Sequence, residues 1–417
     1  MLSGLTIRGR CLLAAGVAAA VCSLVLDERD LLRVAIFVVV LPVLALVLSN
    51  RTRFGLRAER HLLPERLAVG SGGEVELRVR GTRRLPVGGP LLEDDVPAAV
   101  GERKQFHLRR PPGSEPVAVR YPIRPALRGI HQVGPLRVRA GDPFGLAEFD
   151  RELAPASRLV AVPEVVALNG LPGGSGLGST GDGAARLQAG HGEDDSMVRQ
   201  YRHGDDMRRV HWKTTAHRDE LMVRTEEHPW HGATTVLLDR RSAAHRGAGA
   251  QSSLEWAISA VASVFLHLHR HGHQVRLTAE DGSVLGDGRG WSGGHEDDAV
   301  LDELAAVRPS ARRDLAFSDD PGDGRQLIAV LGATTPAGVA ELTKLRPEGA
   351  RSLALLLDVR RWNGEALHGG FNPHHAARKL RASGWAVRLV ESPQEELAAV
   401  WSELCATTST REAGRAS

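Results

Sequence analysis

The sequence predicts a multi-domain protein with an N-terminal two-helix transmembrane hairpin, an antiparallel β-sandwich module and a C-terminal doubly wound α/β domain. Three observations support this prediction. Two apolar runs lie within the first 50 residues, alternating apolar and polar residues follow them, and strands then alternate with helices. A single core rarely grows to the full length of 417 residues, so several domains are expected.

The composition excludes several classes of protein. The chain has 53 basic and 50 acidic residues, and a net charge of +3 is too small for a typical nucleic-acid binder of this length. Hydrophobic residues make up 42% of the chain, which excludes a chain that is disordered throughout. Cys11, Cys22 and Cys405 are too few for a disulfide framework or a cysteine-based zinc site.

The first element, residues 1–57, is predicted to be a transmembrane hairpin with basic flanks. Its apolar runs cover 11–26 and 31–49, against the 20 or so residues that a membrane helix needs. Arginines stand before the first run and after the second, so both ends are expected in the cytoplasm and the short acidic link outside. The chain is therefore predicted to be a multi-pass protein of the cell membrane with cytoplasmic soluble domains.

A cleaved signal peptide is the competing interpretation of the first apolar run. Val21 is a poor residue before a cleavage site because it is not small, and the second run would stop transfer through the membrane. We therefore favour the two-pass anchor.

Residues 58–165 are predicted to form the β-sandwich module. Apolar and polar residues alternate along the chain, and glycine and proline punctuate the runs, as in antiparallel sheets with one solvated face. No catalytic constellation is visible, so a spacer or docking role is expected. Residues 166–192 are predicted to be a Gly-rich linker, because they lack the Gly-Lys-Ser/Thr ending of a phosphate-binding loop.

Residues 193–231 form a separate segment that is dense in charged and aromatic residues. Gly204 and Asp205 read as a turn and a helix N-cap, and Asp205 lies four residues before Arg209, a spacing that allows an ion pair. A metal site is one alternative, using His203, Asp206 and His211 with Asp205, although the spacing does not place two ligands on one helical face.

Phosphate or nucleic-acid binding is the other alternative for this segment. Its arginines, Lys213, Tyr201 and Trp212 have suitable side chains, but neighbouring carboxylates cancel most of the positive field. We favour a structural, partner-facing network of ion pairs, carried by Arg199, Tyr201, Arg202, Gly204, Asp205, Arg208, Arg209, His211, Trp212 and Lys213.

Residues 232–405 are predicted to form the doubly wound α/β domain, followed by a disordered tail at 406–417. Buried-type strands alternate with amphipathic helices, which implies right-handed crossovers and a parallel sheet covered on both faces. Such sheets bind ligands beyond the carboxyl ends of their strands. Asp239 ends the first predicted strand and is therefore the residue to question.

The ordered string from Arg199 to Ala216, followed by Leu221-x-Val223-Arg224, resembles the signature of the bacterial domain-of-unknown-function 58 family. The layout is similar too, with two membrane helices and a β region that carries Asp142-Pro143-Phe144-Gly145-Leu146. The resemblance implies that the C-terminal half is von Willebrand factor A-like. It also implies a MoxR-type AAA ATPase as partner, because members are commonly encoded beside such ATPases.

A von Willebrand A metal site requires the pattern Asp-x-Ser-x-Ser, because hydroxyl and carboxylate oxygens suit Mg²⁺. This chain has Asp239, Arg241 and Ala243 instead, so the metal-site position at Asp239 is predicted to be degenerate, with no bound metal and no cofactor. His267 and His271 lie four residues apart near a helix end, where the helix dipole alone favours cationic side chains.

The sequence thus predicts a membrane-anchored, non-enzymatic adaptor without catalytic residues. It would act with the AAA ATPase in the assembly or maturation of envelope-associated complexes. The alternative function is a metal-dependent hydrolase that uses the Asp- and His-rich segment 193–211.

Overall fold

The computed structural model describes residues 4–51, 56–81, 90–108, 116–142, 144–173, 198–200, 222–224, 233–287, 295–315, 317, 320, 326–344, 352–362 and 371–413. The chain divides into two compact units, with the boundary between Val162 and Pro163. The first unit contains the apolar helices and the β module, and the second contains the α/β domain.

Two apolar helices, α1 (Ile7–Leu26) and α2 (Arg29–Arg51), form the N-terminal hairpin. Asp27 ends α1 in the left-handed conformation, with a φ of 53°. A Cβ on Gly16 would lie only 2.7 Å from a methyl of Val39, so glycine lets the helices pack closely. Both helices are long and apolar enough to cross a membrane, which confirms the predicted pair of candidate spans.

The β module folds as three small sheets around a shared apolar core. The sheet orders are β1–β3–β6, β2–β10–β7 and β5–β4–β8–β9, and every neighbouring pair is antiparallel except β2 with β10. The strands are β1 (Leu56–Leu63), β2 (Arg66–Ala68), β3 (Gly73–Gly81), β4 (Leu91–Asp94), β5 (Lys104–His107), β6 (Val117–Ile123), β7 (Gly129–Val133), β8 (Leu136–Gly141), β9 (Glu148–Ala154) and β10 (Ser157–Val162). The predicted alternation is therefore present, for example at the buried Val75, Leu77 and Val79 of β3.

A buried polar cluster lies inside this module. The Arg60 guanidinium donates to both carboxylate oxygens of Asp94, and the Tyr121 hydroxyl donates to Asp94 Oδ2 at 2.6 Å. Burial and the Asp94 carboxylate raise the pKa of Tyr121. A Cβ on Gly134, where φ is +106°, would lie 2.5 Å from the Arg60 guanidinium. These partners satisfy one another, so the cluster is structural.

The second unit is built on a six-stranded sheet with the order β15–β14–β13–β16–β17–β18. All neighbours are parallel except the edge strand β15, which pairs antiparallel to β14. The strands are β13 (Ala233–Leu238), β14 (Gln274–Ala279), β15 (Val284–Asp287), β16 (Gln326–Leu331), β17 (Leu353–Leu357) and β18 (Ala386–Val390). This is the order of two βαβ halves wound outward from a central strand.

Helices cover both faces of this sheet. Their bounds are α3 (Ser253–Arg270), α4 (His295–Ala306), α5 (Pro336–Lys344), α6 (Pro373–Ala382) and α7 (Leu397–Ala413). Alternate residues of one strand serve different cores: Ile328 of β16 packs in a core that includes residues of α3, α4 and α7, and Ala329 in a core that includes residues of α5 and α6. The doubly wound arrangement that the sequence predicts is therefore present.

Two expected segment boundaries differ from the structure. The final helix runs to Ala413, where we expected a disordered tail from residue 406. Its buried Trp401 and Leu404 fix the helix on the sheet, and helix propagation is then cheap.

The second difference concerns the expected linker at 166–192, whose first residues pack on the α/β unit. The Val166 amide donates to Ser263 Oγ, and the Trp401 indole donates to the Gly170 carbonyl at 3.1 Å. Residues 174–192 of this expected linker lie outside the described part of the chain.

Candidate functional site

Residues 193–231, which we call the signature segment, are described only at 198–200 and 222–224. Strand β11 (Val198–Gln200) pairs antiparallel with β12 (Met222–Arg224), and Arg199 lies opposite Val223. Strand β12 thus lies on the Leu221-x-Val223-Arg224 part of the signature string. The other predicted signature residues lie outside the described residues: Tyr201, Arg202, Gly204, Asp205, Arg208, Arg209, His211, Trp212 and Lys213.

Asp239 lies directly after β13, at the carboxyl edge of the parallel sheet, and is fully buried. Its carboxylate forms a bidentate ion pair with Arg241. Arg241 Nε donates to Oδ1 at 2.9 Å and Nη2 donates to Oδ2 at 2.8 Å. The Gly332 amide also donates to Oδ2, at 3.2 Å, so backbone and side chain together satisfy the acid.

The Arg241 guanidinium is held on its other side by backbone carbonyls. Nη1 donates to the Arg313 carbonyl at 2.9 Å, and Nη2 donates to the Ala333 carbonyl at 3.1 Å. Only 1% of Arg241 is exposed, which is rare for arginine unless the charge is paired. This guanidinium therefore supplies the positive charge beside Asp239.

These residues do not fit the metal ion that a von Willebrand A-like domain implies. A divalent cation at Asp239 would lie against the guanidinium of Arg241, and Ala243 offers only a methyl group two residues later. Thr335, on the neighbouring loop, uses its hydroxyl to cap α5 by accepting from the Gly338 amide at 3.2 Å. In the part of the chain that the structure describes, no group of three or more His, Cys, Asp or Glu is placed to hold a metal.

His245 packs beneath the same loop as a neutral ring. Nε2 lies 2.6 Å from the Asp239 carbonyl, which can only accept, so this nitrogen carries the hydrogen. Nδ1 then accepts from the Ser253 hydroxyl at 3.1 Å. Burial lowers the pKa of His245, and the ring stays uncharged near neutral pH.

Carboxylates also follow three other strands at this edge of the sheet: Glu280 after β14, Asp358 after β17 and Glu391 after β18. We call Asp239, Glu280, Asp358 and Glu391 the carboxylate edge. Each has an arginine partner, which for Glu391 is Arg361, with Nη2 3.8 Å from Oε2.

Arg240 forms an ion pair with Glu280, with Nε 3.1 Å from Oε2. Its Nη2 also lies 2.9 Å from Asp281 Oδ2. Arg360 Nε and Nη2 donate to the two oxygens of Asp358 at 2.7 and 2.8 Å. Although burial opposes it, hydrogen bonding to Arg360 lowers the pKa of Asp358. The acids of the carboxylate edge are thus placed as in a cation-binding site. Arginines of the same chain already pair with them, so they are not free to bind a cation.

Sequence reasoning identified Asp239 but missed the other three acids and their partners. A signal existed in the pattern of a buried strand followed by an acid and, two residues later, an arginine. The pattern occurs at Asp239 with Arg241 and at Asp358 with Arg360.

The histidines at the end of α3 have separate partners. His267 Nε2 lies 2.8 Å from the Gly170 carbonyl, and His271 Nδ1 lies 2.7 Å from the His267 carbonyl. His269 pairs with Asp297 at 2.9 Å. Burial lowers the pKa of His267, which weakens the predicted role of a charged His267 at the helix end.

Comparison with known proteins adds one informative match. Residues 197–320 match the family model described as "Protein of unknown function DUF58". No curated protein matches the chain. One solved structure, the CARDB domain of the PF1109 protein from Pyrococcus furiosus in complex with di-metal ions, is 12% identical over 26% of this chain and 86% of its own. Its TM-score of 0.19 is too low for any argument about fold or function.

The matched residues contain all but the first four residues of the signature segment, including both of its described strands, and the first carboxylates of the carboxylate edge. The match thus confirms the resemblance seen in the residues themselves. Over residues 197–320 the chain is similar to the DUF58 family.

Proposed function

We propose that this protein is a membrane-anchored, non-enzymatic adaptor. It acts with a MoxR-type AAA ATPase in the assembly or maturation of envelope-associated complexes. The observation that carries the proposal is the buried pair of Asp239 and Arg241. An acid that could bind a catalytic or adhesive cation is neutralised by a side chain of the same chain, which supports a role that needs no metal ion at this edge.

The strand order supports the finer proposal of a von Willebrand A-like domain. The first strand of the sheet is central, the acid at its carboxyl end is Asp239, and the antiparallel strand lies at one edge. In this proposal Arg241 replaces the metal ion permanently. Partner binding would then require no divalent cation at this edge. For the β module of the first unit we propose a β-sandwich that acts as a spacer or as a docking module.

The location of the adaptor is the third part of the proposal. Two helices of suitable length and hydropathy support a two-pass anchor. Arg8 and Arg10 lie at the start of α1 and Arg51 at the end of α2, so the positive-inside rule favours a cytoplasmic location for both soluble parts. The ATPase would then meet the adaptor at the inner membrane surface.

Crosslinking in native membranes, followed by mass spectrometry of the captured proteins, tests this function. We expect the natural chain to capture an AAA ATPase. The Asp205→Ala variant should capture less of it. That substitution removes a predicted N-cap worth about 1 kcal/mol and disturbs the signature segment. Asp314→Ala, at an exposed position of the same unit, is the control and should leave capture unchanged.

Capture of the ATPase by Asp205→Ala at the natural level would show that the signature segment is not the contact. Absence of any ATPase in the natural sample would contradict the adaptor proposal itself. It would favour an autonomous enzyme that uses the segment 193–211.

A further inference from the structure

The turn between β8 and β9 is organised by the side chain of Asp142. Asp142 Oδ1 accepts from the amides of Leu146 and Ala147 at 2.6 and 2.7 Å, and Oδ2 accepts from the Phe144 amide at 3.2 Å. Gly145 has a φ of +68°, a conformation that glycine adopts without strain. We call Asp142, Phe144, Gly145 and Leu146 the docking turn. Its shape is fixed by its own hydrogen bonds.

The docking turn lies against the residues that lead into α1. Leu5 and Ala147 form an antiparallel bridge, and the Thr6 amide donates to the Leu146 carbonyl at 3.0 Å. The Thr6 hydroxyl donates to the Gly145 carbonyl at 2.7 Å and accepts from the Gly9 amide, so one side chain both caps α1 and joins it to the turn. The turn is therefore attached at the start of the apolar helix.

Glycine at position 9 allows this close approach. A Cβ on Gly9 would lie 2.1 Å from the Leu146 carbonyl oxygen, a distance that no side chain tolerates. The backbone of the turn thus reaches the surface of α1 itself.

An apolar cluster places the docking turn at the level of the candidate membrane spans. Leu146 and Ala147 pack with Leu5 and with Ala45, which lies inside the apolar span of α2. Four leucines of the hairpin complete the cluster: Leu12, Leu13, Leu41 and Leu46. Since the helical residues of this cluster belong to the apolar spans, the turn beside them would lie at the boundary between hydrocarbon and water in a bilayer crossed by these spans.

Phe144 carries an apolar ring at this boundary and is 67% exposed. Ile7, in the first turn of α1, is also exposed, at 79%. Arg8 lies nearby, with its guanidinium 3.9 Å from the position of a Cβ on Gly145, and supplies positive charge that suits anionic headgroups. Aromatic side chains are favoured in the interfacial layer of a bilayer.

We propose that the docking turn is a second membrane contact, in which Phe144 inserts its ring into the interfacial layer of the bilayer. The other residues of the turn hold the β module against the hairpin. The inference rests on the membrane anchorage in the proposed function and adds a lipid-binding surface to it.

A site-specific fluorophore on the full-length chain tests the inference. Cys11 and Cys22 are exposed and are replaced by alanine, whereas Cys405 is buried and stays. Burial raises the pKa of the Cys405 thiol to about 12, so it remains protonated and unreactive at neutral pH. Phe144→Cys is then labelled with an environment-sensitive dye, and the protein is reconstituted into phosphatidylethanolamine–phosphatidylglycerol vesicles with or without brominated acyl chains.

Two further positions supply controls. Ile130→Cys lies on β7 of the same module at an exposed apolar residue, and Val17→Cys lies on the exposed surface of α1. We expect the dye at 144 to shift to the blue and to lose fluorescence several-fold in brominated vesicles. The dye at 130 should behave as in water, and the dye at 17 should be quenched most strongly.

Water-like emission at 144 together with strong quenching at 17 would overturn the inference and leave the anchorage intact. Water-like emission at both positions would overturn the anchorage and the inference with it. Phe144→Trp provides a second measurement without a dye. Its added tryptophan emission, taken as the difference from the natural chain, should be quenched by brominated lipid, and an unquenched difference would contradict the inference.

Discussion

Two buried arginine–aspartate pairs stand in different parts of this molecule and have different consequences. In the β module, Arg60 and Asp94 come from separate strands, and Tyr121 from a third donates to the same acid. In the α/β unit, Asp239 and Arg241 are two residues apart on one loop, at the carboxyl edge of a parallel sheet. Both pairs are almost fully buried, so burial alone does not distinguish a structural pair from a functional position.

Position in the fold makes the difference. The pair in the β module joins elements and fills an interior, so its only evident role is cohesion. The pair at Asp239 lies where doubly wound sheets bind ligands, and the arginine takes the charge that a cation would supply. A fold can thus keep an acid at the carboxyl edge of its sheet and pair it with an arginine of the same chain.

The largest effect is expected from Asp94→Ala, which leaves the buried Arg60 charge unpaired. Breaking one partner of a buried ion pair costs about 3–5 kcal/mol in the free energy of unfolding. Denaturant unfolding of the detergent-solubilised chain measures this cost. Asp95→Ala removes only the exposed pair with Arg103 and should cost far less, because solvent screens exposed charges. Equal costs for the two variants would contradict the structural role of Asp94.

The second-largest effect is expected from Arg241→Ser, and it distinguishes the pair at Asp239 from the pair at Asp94. Arg241→Ser removes the internal cation and restores a hydroxyl two residues after Asp239. We expect this variant to unfold more easily and to regain stability in Mg²⁺, by about 2.7 kcal/mol at a concentration 100-fold above the Kd.

Arg246→Ser is the matched control, because Arg246 lies on the same loop and donates to backbone carbonyls. Neither the natural chain nor this control should respond to Mg²⁺. An equal response in all three proteins would show that Arg241 does not stand in the place of a cation.

The third effect is a pH dependence at His245. Its pKa is lowered in the folded protein, so the unfolded chain binds more protons below about pH 6.5 and stability falls as the pH decreases through that region. His245→Asn should flatten this slope by up to about 1.4 kcal/mol per pH unit, measured by thermal unfolding. His374→Asn, at an exposed position of the same unit, is the control for a histidine-to-asparagine change. An unchanged slope in His245→Asn would contradict a buried neutral ring.

The smallest effect concerns Thr335, a hydroxyl close to the carboxylate edge. Because it caps α5, Thr335→Ala should cost about 1 kcal/mol and leave the behaviour toward Mg²⁺ unchanged. Loss of the Mg²⁺ response when this change is added to Arg241→Ser would instead identify Thr335 as a metal ligand.

The sequence was sufficient for the positions of the parallel strands and for Asp239. Runs such as Leu353–Leu357 are apolar at every residue, which is typical of a strand buried on both faces. The sequence was not sufficient to predict contacts between residues that are distant along the chain. Nothing in the local pattern around Arg60 indicates that Asp94 lies opposite it, and the edge strand β15 is too short to be recognised by periodicity.

The candidate site shows the same limit. The sequence shows that Arg241 cannot serve as a ligand of a metal ion. It does not show that Arg241 pairs directly with Asp239, because this pairing depends on the shape of the loop after β13. The carbonyls of Arg313 and Ala333, which fix the guanidinium, come from two other segments.

The proposal to test first is that this protein works without a divalent cation of its own. Metal analysis of the purified full-length chain, by equilibrium dialysis against Mn²⁺ with Asp239→Ala and Asp205→Ala in parallel, tests it most directly. The account predicts less than one tightly held ion per chain in all three proteins. One stoichiometric ion in the natural chain, lost in either variant, would contradict the account and locate the metal site.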